Sequence, residues 1–96
     1  MISKFGNDEI GYLSWIGSHP DGYVLNANKT LGGNYAVIHK PSCFSISKYQ
    51  SEQNKGGFTE RNYIKVCSDT LPELKAWINK NIGLHDGHYC AHCNPK

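Results

Sequence analysis

The stretch His85-Asp86-Gly87-His88-Tyr89-Cys90-Ala91-His92-Cys93 packs two cysteines and three histidines into nine residues. Within it, Cys90-Ala91-His92-Cys93 is a C-x-x-C knuckle. Two intervening residues let both sulfurs reach one tetrahedral ion while backbone N–H groups turn towards the thiolates. A structural zinc takes four ligands, so the partners must come from His85, His88, His92, Cys67, Cys43 or His39. His92 lies inside the knuckle and is expected to point outwards.

Two arrangements satisfy the ligand count. In the first, the tail runs back along the preceding helix. That helix, residues 71–82, is about 18 Å long, and residues 83–89 span about 23 Å when extended. The tail then reaches Cys67, just before the helix, and Cys43 joins if its strand pairs with the 58–67 strand. The site is then Cys43, Cys67, Cys90 and Cys93. In the second, the site is local, with Cys90 and Cys93 completed by His85 or His88. The bland alternative for Cys43 and Cys67, each flanked by apolar residues, is a plain buried thiol.

Other cysteine chemistries fit less well. Redox catalysis requires the first cysteine at a helix N-terminus, and only three residues follow Cys93 in this sequence. A c-type haem requires His directly after the second cysteine, where this chain has Asn94. His39 and Cys43 could serve as base and nucleophile of a small hydrolase, but the sequence supplies no third orienting group. No P-loop, G-x-G-x-x-G or H-E-x-x-H occurs.

A second constellation carries recognition chemistry. His39 with Asn26 and Asn28 forms a polar lip on an otherwise apolar hairpin, beside Tyr23, Tyr35 and Tyr63, and Lys65 closes the stretch 58–65, where Arg61 and Lys65 flank Tyr63. Convergent polar groups beside aromatic rings suit a base, a sugar or a peptide. The plainer alternative is that the asparagines only end a strand.

The elements that must position these residues are legible in part. Asp8 to Ser18 reads as a short helix with Asp8 as N-cap and an Ile10/Leu13/Ile16 stripe; a strand through 12–16 is the rival. His19-Pro20-Asp21-Gly22 is a turn. Tyr23–Ala27 and Tyr35–His39 read as the strands of a hairpin around Gly32-Gly33. Pro41 ends the second of them. Cys43–Ile46 is a candidate short strand, 47–57 a polar loop, and Phe58–Cys67 a strand in which Tyr63, Lys65 and Cys67 share one face. Leu71–Ile82 is the best-marked helix. Thr70 and Glu73 suggest a capping box, Leu71, Leu74, Trp77, Ile78 and Ile82 form its apolar face, and Gly83 ends it.

The bulk composition bounds the rest. Ninety-six residues with 39% hydrophobic content are expected to form one domain, residues 1–96, whose thin core would benefit from a metal staple. The net charge of +2 and pI near 8.4 fall short of the strongly basic balance of a committed nucleic-acid binder. No run approaches the roughly 18 apolar residues of a membrane span, so no membrane partner is expected. The first residues lack the apolar stretch of a signal peptide. A reducing cytoplasm is therefore the expected compartment, where cysteines serve as thiols and metal ligands.

The string Gly22-Tyr23-Val24-Leu25-Asn26, His39-x-x-x-Cys43, Tyr63-Ile64-Lys65-Val66-Cys67-Ser68, Glu73-Leu74-x-x-Trp77 and Cys90-x-x-Cys93 loosely resembles small accessory domains of prokaryotic restriction-type and other defence proteins, over residues 10–95. That resemblance implies a recognition module over a free-standing enzyme. The fold expected is α+β: a small antiparallel sheet packed on the C-terminal helix, with the tail tied back by zinc. The function expected is a non-catalytic, zinc-stabilised module that binds DNA or RNA. The alternatives are a protein-interaction adaptor with a structural metal and a small metal- or cysteine-dependent hydrolase.

Overall fold

The computed structural model describes residues 1–31, 35–43, 46, 59, 63–83, 88–91, 93 and 95. The elements run β1 (Ile2–Phe5), α1 (Glu9–Ser18), β2 (Tyr23–Asn28), β3 (Ala36–His39), β4 (Tyr63–Ser68), α2 (Leu71–Asn81) and β5 (His88–Tyr89). The strands form one sheet in the order β1-β4-β2-β3-β5. Every pairing is antiparallel except the last, β3 with β5, which is parallel. The expected α+β class, with the C-terminal helix on a largely antiparallel sheet, is what the chain adopts.

Strand alternation divides the sheet into two faces. Leu25, Ala27, Ala36, Ile38, Ile64 and Val66 turn one way and bury against Leu74 and Ile78 of α2. Val24 and Cys67 turn the other way and cluster with Tyr12 of α1, Cys43, Ile46 and Cys90. The first cluster is aliphatic throughout and supplies most of the hydrophobic driving force. The second is built around thiols and one tyrosine, and it is the face that carries the chemistry.

Helix α2 forms where its sequence signals place it. Pro72 occupies the first turn, where its missing N–H costs nothing. Leu74 and Ile78 are fully buried, and Leu71, Trp77 and Ile82 pack around them. Gly83 takes φ +87°, and its N–H donates to Ile78 O at 3.1 Å, closing the C-terminus in the left-handed conformation that glycine adopts without penalty. The capping box differs from expectation. Thr70 Oγ1 donates to Glu73 Oε1 at 2.9 Å, so the two side chains bond each other and Thr70 makes no side-chain bond to the helix backbone.

Helix α1 is capped as expected, with Asp8 accepting from the Gly11 N–H at 2.9 Å. Of the expected Ile10/Leu13/Ile16 stripe, Leu13 and Ile16 are partly buried against the thiol-bearing cluster, while Ile10 is not. Glu9 and Tyr12 point in, and Ile10 is 85% exposed. At about 100° per residue, Ile10 lies on the far side from Tyr12. Glu9 Oε1 accepts from both the N–H and the Oγ1 of Thr59, at 2.8 and 2.9 Å, which satisfies a buried carboxylate.

Three further expectations are corrected or bounded. No strand begins at Cys43: its N–H donates to Lys40 O at 3.0 Å and the Ile46 N–H to Cys43 O at 3.1 Å, the three-residue bonds of consecutive turns. The strand expected over 58–67 is β4, beginning at Tyr63; residues 58 and 60–62 lie outside those described, as does the 47–57 loop. Strands β1 and β5, for which the sequence carries little local signal, complete the two edges of the sheet.

Candidate metal centre

The site follows from the parallel pairing of β3 and β5. Val37 lies opposite His88 and Ile38 opposite Tyr89. Because the strands point the same way, the residues after each strand emerge at the same end of the sheet. His39 closes β3, and the turn through Pro41 brings Cys43 back over it. Cys90 follows β5 directly, and its N–H donates to Ile38 O at 2.9 Å, carrying the pairing one residue beyond the strand. The Lys40 N–H donates to Cys93 Sγ at 3.3 Å. Each half of the site thus donates a backbone N–H to the other, one to a carbonyl and one to a thiol sulfur.

The result is a cluster of His39, Cys43, Cys90 and Cys93 whose ligand atoms all lie within 4.8 Å of one another. Cys43 Sγ and Cys90 Sγ are 3.9 Å apart. A tetrahedral ion with zinc–sulfur bonds of about 2.3 Å requires sulfurs about 3.8 Å apart. His39, Cys43 and Cys90 are at most 6% exposed, and Cys93 is partly open to solvent. One imidazole and three thiols in this arrangement are compatible with a structural metal site and suit a metal such as zinc.

Without an ion, the protonated thiol is favoured at Cys93, the partly open member of the cluster. Burial pushes the Cys93 thiol up to about 11, against the opposing pull of the Lys40 N–H on its sulfur. A buried thiol gives up its proton when a cation takes the proton's place.

The structure brings together Cys43, Cys90 and Cys93, three of the four cysteines that the sequence offers as one site. Cys67 is not within this group. It sits on the same face of the sheet, fully buried, but in β4, and β2 separates β4 from β3. Two strand spacings amount to about 10 Å. Burial holds the Cys67 thiol up to about 12, partly offset by Lys65. The fourth member is His39, one of the six partners that the sequence offered and one also expected on the recognition lip. His88 is exposed on β5 and outside the cluster. His85 and His92 lie outside the described residues.

The remaining residues expected on a recognition face separate between the two faces of the sheet. Tyr23 packs with the aliphatic core on the α2 side. Asn26, Tyr35, Tyr63 and Lys65 converge on the other. Lys65 Nζ donates to Asn26 Oδ1 at 2.8 Å, and Asn26 Nδ2 donates to Tyr35 OH at 3.2 Å. The rings of Tyr35 and Tyr63 lie 5.7 Å apart at 47°. Lys65 Nζ also lies 5.8 and 5.9 Å from the ring centres of Tyr12 and Tyr63, within cation–π range. Lys65 is 2% exposed, and burial holds its ammonium down to about 8, opposed by the charge of Glu9. Sequence reasoning missed Glu9 and Tyr12 as members of this polar layer. Their positions three apart behind the Asp8 cap are the signal that could have found them.

No helix among the described residues is long and apolar enough to cross a membrane. Comparison with protein-family models, with curated proteins and with solved structures finds no match to the chain.

Proposed function

We propose that the protein is a non-catalytic recognition module held together by zinc, with nucleic acid as its partner. The observation that carries the structural-metal part is the closure of the ligand set: four protein donors converge, three of them almost fully buried. Catalytic zinc sites keep a coordination position for water or substrate, whereas structural sites are filled by protein. Zinc is favoured over other divalent ions by three sulfurs and one nitrogen.

The partner is inferred from the opposite end of the same sheet face. Tyr35 and Tyr63 are each 36% exposed and adjacent, and Asn26 lies beside them. Aromatic faces with a neighbouring amide suit a splayed nucleotide base. The overall charge of +2 supports phosphate contact without demanding it.

Two measurements test this. Elemental analysis should give about one zinc per chain, and chelation should abolish the cooperative thermal transition, because metal binding supplies folding energy in a small domain. Binding to single-stranded DNA or RNA should weaken steeply with salt and fall when Tyr35 and Tyr63 are both replaced by Ala. No binding at low salt, with zinc in place, would remove the nucleic-acid partner and leave a protein-interaction module.

A further inference from the structure

The four thiols of the chain are unequal in access. Cys43 is 4% exposed, Cys67 0% and Cys90 6%, while Cys93 is partly open. A dissolved reagent therefore meets one sulfur first. That sulfur lies within 4.8 Å of both Cys43 Sγ and Cys90 Sγ. Oxidation of cysteine is selected by exposure and thiolate character, and a sulfenic acid beside a second thiol condenses to a disulfide.

We propose that Cys93 is a peroxide-sensitive modification site whose oxidation dismantles the metal centre. The proposal rests on the zinc reading given above. The Cys93 thiolate attacks one oxygen of hydrogen peroxide: an S–O bond forms, the O–O bond breaks, and hydroxide leaves. The thiolate of Cys43 or Cys90 then attacks the sulfenic sulfur: an S–S bond forms, the S–O bond breaks, and a second hydroxide leaves. Two electrons pass from the sulfur pair to the peroxide, and two protons from solvent turn the hydroxides into water. The cluster would then keep only two of its four donors for a bound ion, which would be released.

The release has a structural readout built in. Cys90 and Cys93 are tied to β3 through the Cys90 N–H to Ile38 O and the Lys40 N–H to Cys93 Sγ. Tyr89 of the two-residue strand β5 is held as well by packing on the aliphatic core and by Lys75 Nζ, 5.6 Å from its ring centre. Loss of the ion should therefore loosen the chain just after β5, at the Cys90 N–H to Ile38 O bond, while Tyr89 keeps its packing on the core.

The experiment takes the zinc-loaded full chain and adds hydrogen peroxide in substoichiometric steps. A chromogenic chelator follows free zinc, and alkylation with peptide mapping locates the oxidised thiols. About one zinc should appear per peroxide consumed, with Cys93 joined to Cys43 or Cys90 and Cys67 still reduced. Thiol reductant and added zinc should restore the starting state, and Cys67→Ala should release zinc at the wild-type rate. Oxidation of Cys67 as fast as Cys93, or zinc release with Cys93 unmodified, would overturn the proposal. Zinc retained under peroxide would overturn it while leaving the zinc reading intact; a chain that takes up no zinc would sink both.

Discussion

Cys67 and His39 lie on one face of the sheet, each directly opposite Val24 and one strand to either side of it. A single valine thus separates the buried thiol that belongs to the core from the imidazole that belongs to the metal cluster. Both residues offer a donor on the same face, and strand order places only His39 beside Cys43, Cys90 and Cys93, which gives the two different expected roles.

The two roles predict opposite mutational behaviour. Cys67→Ala should leave metal content at about one per chain and lower stability by about 1–2 kcal/mol, the cost of a small core truncation. Cys90→Ala should lose the metal and the cooperative transition together. Elemental analysis beside thermal melts distinguishes them, and loss of metal in Cys67→Ala would contradict the assignment.

His39→Cys should keep the metal, since a fourth sulfur suits zinc as well as an imidazole does. With cobalt(II) in place of zinc, the sulfur-to-metal charge-transfer band should strengthen as the thiolate count rises from three to four. An unchanged band would place His39 outside the coordination sphere.

Much of this was legible in the residues. Helix α2 was readable because its cap region, Pro72, apolar period and Gly83 all agree, and consistency of local signals is what specifies an element. The β2/β3 hairpin and the facing of Tyr63, Lys65 and Cys67 followed from alternation. The choice between Cys67 and His39 was not readable. It depends on β4 inserting between β1 and β2, a long-range fact that no local pattern encodes. Strand β5 is not legible for a related reason: two residues carry no periodicity, and their conformation is set by pairing with β3 and by the packing of Tyr89 on the core.

Lys65 predicts a pH dependence. Its ammonium is held down to about 8 by burial, from an ordinary value of 10.5. Because the folded value is depressed, the unfolded chain binds more protons between these limits, and stability contributed by this group rises with pH across that interval. The cost of burying the charge is present in full below about 8 and is relieved by up to about 3 kcal/mol towards 10.5. Cys67, raised by burial to about 12, works against it at the upper end. The clean measurement is the difference in denaturant stability between wild type and Lys65→Met at pH 7.5 and 9.5. The wild type should gain on the variant as pH rises, and a constant difference would show that Lys65 is not held below its ordinary range.

Gly22→Ala probes the join between α1 and the sheet. A Cβ at this position would lie 2.7 Å from Trp15 Cη2 and 3.0 Å from Ser68 O. The indole is stacked on His19, with ring centres 4.1 Å apart, so it has little freedom to withdraw. The variant should lose about 1–3 kcal/mol by overpacking, measured by urea denaturation.

In the aliphatic core, Leu74→Ala and Ile78→Ala should each cost about 2–5 kcal/mol, because both side chains are fully enclosed between α2 and the sheet. The metal site lies on the other face, so at temperatures where these variants remain folded their zinc content should match the wild type.

The short parallel partner of β3 has one more consequence. A strand edge left uncovered is a template for a neighbouring chain, and proteins protect such edges against intermolecular pairing. Among the described residues the guard is His88–Tyr89, held by pairing with β3, by the packing of Tyr89 on the core and by the Cys90 N–H to Ile38 O bond that follows it. If the His39/Cys43/Cys90/Cys93 cluster holds zinc, a freshly synthesised copy without it would hold β5 less firmly over β3. Metal supply during synthesis would then decide between a monomeric product and edge-to-edge aggregates, making the ion a safeguard of assembly as well as a staple of the finished fold.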